Sequence, residues 1–130
     1  MKLIVTVTFV ILTLLSCTKE KQSSIVGVWK ETAVYIQDNS GNYKWSEIAY
    51  GFPYIMYLNG DGTYSGFQCT PTPGGVYHYN HTNKQIRFEA ITSGSISVVS
   101  VALLDDDNLI LDYGMTSLGE YKVKFSRNKY

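Results

Sequence analysis

Tyr121-Lys122-Val123-Lys124-Phe125-Ser126-Arg127, close to the end of the chain, alternates between two kinds of side chain. The tyrosine, the valine and the phenylalanine share one face, whereas the two lysines and the serine share the other. A period of two residues is that of a β-strand with one face on a core and one in water. Residues 85–90 follow the same pattern, so the sequence predicts antiparallel β-structure with one wet face.

Similar short segments recur from Ile25 onward, separated by turn-forming sequences. Asn59-Gly60-Asp61-Gly62 is typical of a hairpin turn, because its glycines adopt positive φ without steric cost. No stretch has convincing helical periodicity, and evenly spaced strands predict a sandwich or a small barrel. The eight predicted strands are residues 25–37, 54–58, 63–68, 76–80, 85–90, 95–104, 109–113 and 120–127.

The first residues have the three parts of an export signal: a basic start at Lys2, an apolar run over 3–15, and the cleavage motif Leu14-Leu15-Ser16-Cys17. The run is shorter than the roughly 20 residues that a membrane-spanning helix needs. The motif resembles the lipobox of bacterial lipoproteins. That resemblance implies cleavage before Cys17, a diacylglycerol on its sulfur, and an acylated amino group, commonly with palmitate. Several acyl chains give lasting attachment to a membrane.

The predicted organisation is a signal peptide over 1–16, a lipidated cysteine and flexible polar tether over 17–24, and one β-barrel domain over 25–130. Cleavage leaves 114 of the 130 residues, which is the size of a single domain. It also leaves ten basic against eleven acidic side chains, so a nucleic-acid surface is not expected. Thr18 after the cysteine favours the outer membrane by resemblance to enteric sorting. The orientation toward periplasm or exterior and the oligomeric state stay open.

Ile25-Val26-Gly27-Val28-Trp29, an early G-x-W motif, resembles the first strand of lipocalin-like proteins, particularly their small bacterial lipoproteins, as in Bacteroidetes. Residues 57–64, 75–77 and 109–111 are similar to later strands of that group. The resemblance implies an all-β, eight-stranded antiparallel up-and-down barrel. Arg127 has inward parity and is expected to stack on Trp29, closing one end of the barrel beside Gly27. The second lipocalin signature, a Thr-Asp-x-x-Tyr turn, is absent, which indicates an outlying branch.

An eight-stranded barrel either is filled by its own side chains or holds one small ligand. The chain has eleven Tyr and two Trp, and several lie in the connection 38–53, which corresponds by order to the lid loop of lipocalins. We expect a small apolar ligand in the barrel, with a mouth gated by this loop. Equally, these aromatic residues could merely fill a closed core. The candidate ligand-binding residues are Tyr43, Trp45, Tyr50, Phe52, Tyr57, Tyr64, Phe67, Tyr77, Tyr79 and Phe88.

Other motifs predict no cofactor, metal or catalytic site. His78 and His81 are three residues apart, so they face opposite sides of a strand. Asp105-Asp106-Asp107-Asn108 lacks the glycine and distant glutamate of a calcium loop. Cys69 has no partner for a disulfide once Cys17 is lipidated. No nucleophile motif, phosphate loop or paired carboxylates occur, so we expect no enzyme.

A second class of function fits the same sequence. Residues 96–104 are apolar on both faces, which predicts either cover on both sides or a surface for a partner. The alternative is therefore a protein-binding envelope module, such as an inhibitor, that uses this strand or the loop tips while its barrel stays filled.

Overall fold

The structure is a computed structural model that describes residues 24–49 and 51–129. The predicted signal peptide, Cys17 and most of the tether therefore lie outside the described residues, as does Tyr50. Within the described residues the fold is all-β, without helices. Its nine strands are β1 (Gly27–Gln37), β2 (Tyr43–Glu47), β3 (Ile55–Leu58), β4 (Thr63–Gln68), β5 (Thr70–Asn80), β6 (Gln85–Ala90), β7 (Ile96–Leu104), β8 (Asn108–Thr116) and β9 (Gly119–Arg127).

Eight of these strands close into an antiparallel up-and-down barrel, which confirms the predicted fold class. Each strand from β3 to β9 pairs with the next, and β1 closes the circle by pairing with β9 on one side and β3 on the other. A β-bulge between Glu31 and Ala33 interrupts the β1–β9 register. Bulges of this kind bend a strand and increase its twist, as closing a barrel requires.

The ninth strand, β2, lies within the connection 38–53, where the sequence predicted only a loop. It forms a hairpin with the second half of β1, from Ala33 opposite Glu47 to Gln37 opposite Tyr43. Because β3 pairs with β1 only over residues 27–30, the rest of that edge of β1 is free to accept β2. The connection is therefore partly an extension of the barrel wall.

The largest further differences from the predicted strand bounds are in β5 and β8. The fifth strand begins at Thr70 rather than Val76, although Pro71 and Pro73 lie within it. The β4–β5 turn is correspondingly tight, and Cys69 in this turn has a φ of 61°. Strand β8 continues past Tyr113 to Thr116, and its register with β9 shifts between Asp112 and Met115.

The two ends of the barrel differ. At one end, here called the closed end, the interior is filled by fully buried side chains, and the turns outside it are the polar 59–62, 81–84 and 105–107. At the other, the open end, lie the β1–β2 and β6–β7 turns and the 116–118 turn. The closed end also receives the chain at Ser24. The largest fully buried side chains of the core are Trp29, Leu58, Ile86, Leu109 and Leu111.

Candidate functional site

The open half of the barrel contains a cavity of about 560 Å³. This lies within the range of roughly 300–1,000 Å³ that small-molecule sites occupy. Strand alternation explains its wall, because every second residue of each strand points inward. The cavity is lined by Glu31, Tyr54, Met56, Tyr64, Gln68, Phe88, Ser97, Val99, Tyr113, Tyr121, Val123 and Phe125.

Two of the ten predicted ligand-binding residues, Tyr64 and Phe88, lie in this wall. Their ring centroids are 5.0 Å apart, and the rings meet edge to face at 73°. This is a favoured arrangement for aromatic pairs. Burial raises the pKa of Tyr64, so its hydroxyl is a neutral hydrogen-bonding group at physiological pH.

Tyr77 and Tyr79 point inward but lie toward the closed end, outside the cavity lining. The Tyr77 hydroxyl donates a hydrogen bond to the Asn59 carbonyl at 2.8 Å. The Tyr79 ring packs against the His81 ring at 4.3 Å between centroids. Both tyrosines therefore help to fill the end of the barrel that the turn 59–62 covers.

Tyr57 and Phe67 lie on the outer face, which corrects the expectation that they line the interior. Tyr57 alternates with Met56 and Leu58, and because those two are buried, it points outward with 37% of its surface exposed. Phe67 follows the buried Gly66 and is 39% exposed for the same reason. A shift of one residue in parity reverses the face on which a strand residue lies.

Three of the predicted lid residues, Tyr43, Trp45 and Phe52, also lie away from the cavity wall. Tyr43 and Trp45 belong to β2 and pack against Tyr35, with ring centroids 5.7 and 5.4 Å away. Phe52 is 62% exposed in the segment after β2. The expected gate over the mouth is therefore replaced, in the described part of the 38–53 connection, by an aromatic cluster on the outside of the wall.

Sequence reasoning missed most of the actual lining. Tyr121, Val123 and Phe125 were placed on the inner face by their alternation, but nothing in the pattern distinguished cavity wall from filled core. Glu31 was overlooked, although it has the inward parity of Trp29 in an otherwise apolar strand face. A charged residue at an inward position is the signal that could have identified it.

Tyr113 and Tyr121 form a pair at the mouth, with ring centroids 5.6 Å apart. Tyr113 as a whole residue is 44% exposed, but it also lines the cavity, and burial of its hydroxyl raises its pKa to about 12. Neighbouring Tyr121, Tyr54 and Glu31 add to the increase. Burial, followed by the charge of Glu31, also raises the pKa of Tyr121. Both phenols are therefore neutral hydrogen-bonding groups across the physiological range.

The closed end contains Trp29 and Arg127 in contact. The Arg127 guanidinium lies 4.2 Å from the centre of the Trp29 ring. A side chain at Gly27 would place its Cβ 2.4 Å from Arg127 Nη1, and the φ of Gly27, 153°, is rare for other residues. Glycine is required here by both the close approach and the backbone.

The remaining motifs show local structural roles. The Asp105 carboxylate accepts hydrogen bonds from the N–H groups of Asp107 and Asn108 at 2.8 and 2.6 Å, which lowers the pKa of Asp105 and forms the turn. Cys69 is an exposed free thiol.

Within residues 24–49 and 51–129, no group of three or more His, Cys, Asp or Glu is arranged to hold a metal ion. None of the described residues belongs to a helix that could span a lipid bilayer.

Comparison with known proteins supports the fold. No protein family and no curated protein matches the chain by sequence. The crystal structure of a DUF4847 family protein from Bacteroides vulgatus ATCC 8482 is similar, with a TM-score of 0.52 and 12% identity. The match covers 80% of this chain and 94% of that one. At this identity the likeness extends to the barrel fold.

Proposed function

We propose that this protein is a lipid-anchored cell-envelope protein that holds a small, largely apolar molecule inside its barrel. The observation that supports binding is the cavity, which opens at one end above a filled core. Its wall combines aromatic and aliphatic side chains with a few hydroxyls and an amide, the usual composition of small-molecule sites. The described residues around it form no recognisable nucleophile and base pair, so a carrier or a receptor fits better than an enzyme.

Native mass spectrometry of the protein purified from bacterial membranes tests ligand binding. A stoichiometric extra mass, released on denaturation, is expected for the wild type. Ser97→Trp should abolish it, because Ser97 lines the cavity and a large side chain there occupies the ligand space. Val98→Trp is the matched control, since Val98 is 58% exposed on the opposite face. Loss of the extra mass in both variants, or in neither, would contradict binding in the barrel.

Membrane attachment rests on the motif Leu14-Leu15-Ser16-Cys17. Cys17→Ala should abolish incorporation of a palmitate analogue and release the protein from the outer-membrane fraction, because it removes the sulfur that holds the diacylglycerol. Cys69→Ala, which changes the other cysteine, should leave both properties unchanged. Equal labelling of the Cys17→Ala variant would exclude lipidation at this position.

The alternative is a protein-binding envelope module, and one observation favours it. Apolar side chains protrude at the open end, with Ile91, Met115 and Leu118 exposed by 77, 78 and 85%. On the outer face of β7, Ile96 and Val98 are 53 and 58% exposed. Contiguous exposed apolar surface often marks interaction sites. Under this alternative the purified protein contains no released ligand and takes up no apolar fluorescent probe.

A further inference from the structure

One acidic side chain lies in the wall of a cavity that is lined by no other Asp or Glu and by no Lys, Arg or His. Glu31 is the acidic residue among the twelve lining residues, and no lysine or arginine accompanies it there. The others are four tyrosines, a glutamine, a serine and five apolar residues. The carboxylate therefore determines the charge preference of the site.

The Glu31 carboxylate is only partly satisfied by the protein. Oε2 accepts one hydrogen bond, from the Tyr54 N–H at 3.2 Å. No ion pair to Glu31 is formed within the described residues, where the five ion pairs involve other acidic side chains. An ionised carboxylate has about four acceptor sites, so most of its capacity remains for a ligand.

Four tyrosine side chains line the same cavity as this carboxylate. The backbone N–H of Tyr54 donates a hydrogen bond to Glu31, and the proximity of Glu31 contributes to the raised pKa of Tyr113 and of Tyr121. The two latter rings lie 5.6 Å apart at the mouth. Faces of tyrosine rings attract cations, and the attraction grows when the cation is removed from water. Carboxylate and rings thus favour the same sign of ligand charge.

Partial burial of a carboxylate without a counter-ion costs free energy. Anionic, neutral and cationic ligands change that free-energy cost in different ways. An anionic ligand adds repulsion, and a neutral apolar ligand removes water from the carboxylate without replacing its interactions. A cation pairs with it while an apolar body contacts Met56, Phe88 and Val99 deeper in the cavity.

We infer that the cavity selects a small amphiphilic cation, with an ammonium or guanidinium group at Glu31 and an apolar body directed toward the filled core. This inference rests on the proposed function, because it specifies the ligand class of the same cavity. Glu31 acts as the counter-ion, and the tyrosines enclose the cationic group.

Three hexyl compounds that differ only in their head group test the inference: hexylammonium, 1-hexanol and heptanoate. Binding is measured by calorimetry on the full-length protein in phosphatidylcholine nanodiscs, with empty nanodiscs subtracted. Hexylammonium should bind about tenfold more tightly than hexanol, equivalent to about 1.4 kcal/mol. Heptanoate should bind more weakly than hexanol, because its charge repels Glu31.

Glu31→Gln keeps the size of the side chain and an oxygen that can accept from the Tyr54 N–H, while removing the charge. It should reduce hexylammonium affinity about tenfold and leave hexanol affinity within about twofold. Glu120→Gln is the matched control: Glu120 lies on the outer face of β9, where it pairs with Lys122 at 2.8 Å. This variant should bind all three compounds as the wild type does.

The head-group series on the wild type is informative even if Glu31→Gln fails to fold. Hexanol binding that equals or exceeds hexylammonium binding would overturn the inference while leaving the proposed barrel carrier intact. Retention of hexylammonium selectivity in folded Glu31→Gln would also overturn it. Absence of binding by all three compounds would refute the inference and the proposed function together.

Discussion

Replacement of Arg127 by methionine should destabilise the barrel by an amount that can be estimated from its contacts. The guanidinium donates three hydrogen bonds to backbone carbonyls: Nε to Asp106 at 2.6 Å, Nη1 to Val26 at 2.8 Å and Nη2 to Ser24 at 2.7 Å. It also lies over Trp29 at 4.2 Å. A single side chain thus joins β9 to the segment before β1 and to the turn before β8.

Each hydrogen bond from a charged donor contributes about 1.5–3 kcal/mol when buried, and about 0.5–1 kcal/mol where the carbonyl regains water after the substitution. The three carbonyls are near the surface, so we take the lower values, which together amount to about 2 kcal/mol. The contact with the indole adds about 1 kcal/mol. We therefore expect Arg127→Met to lower the free energy of unfolding by about 3 kcal/mol, or Tm by about 12 °C for a domain of this size.

Urea unfolding monitored by circular dichroism and tryptophan fluorescence provides the measurement. Arg127→Lys should recover only part of the loss, because an ammonium group can lie over the indole but cannot reach three carbonyls in a fixed fork. Arg87→Met is the control, since Arg87 is on the outer face, where its contact with Glu89 is 3.5 Å long. If Arg127→Met and Arg87→Met unfold at the same urea concentration, the reasoning about the closed end is refuted.

Three further predictions concern other parts of the barrel. Burial raises the pKa of Tyr113 to about 12, so the folded state keeps a proton that the unfolded state loses above about pH 10, and the free energy of unfolding should fall as pH rises from about 10 to 12. Tyr113→Phe should reduce this fall and remove one late-titrating phenol from the ultraviolet titration. Gly75→Ala should destabilise the folded protein by about 1–3 kcal/mol in thermal unfolding, since the added Cβ would lie 1.9 Å from the backbone oxygen of Glu89. Gly51→Ala is the control and should change Tm little, because an added Cβ there would have no atom within 4 Å. Trp45→Ala should leave uptake of an apolar probe unchanged in a fluorescence titration, because its ring packs outside the cavity; a loss of uptake would place the ligand elsewhere.

The sequence predicted the strands that alternate clearly and end in glycine- or asparagine-rich turns. Residues 85–90 and 120–127 are the best examples. The bounds of the first agree with β6, those of the second differ from β9 by one residue at the start, and the inner faces of both agree with the structure. The parity of residues 55–58 was misjudged because that strand is short and apolar throughout, so alternation alone could not show that Tyr57 points outward. Local patterns are informative only where the two faces differ in polarity.

Features that depend on distant strands were beyond local patterns. Strand β2 exists because β3 leaves half of one β1 edge unpaired, which no sequence window over 43–47 reveals. Likewise, the division of the interior into filled core and cavity depends on which inward residues meet across the barrel. Trp29 and Leu58 fill one half, whereas Glu31 and Tyr54 border space in the other.

The chain enters the barrel at Ser24 on the closed end, and the cavity opens at the opposite end. If the protein is held by its amino terminus, as we propose, the point of attachment and the mouth lie at opposite ends of the barrel. A ligand would enter the cavity from the aqueous phase and leave into it while the protein stays attached to the membrane. Exchange with a second protein that docks at the mouth would proceed without steric interference from the anchoring leaflet. The rate of such exchange should consequently be insensitive to tether length, unlike that of a carrier that draws its cargo directly from its own bilayer.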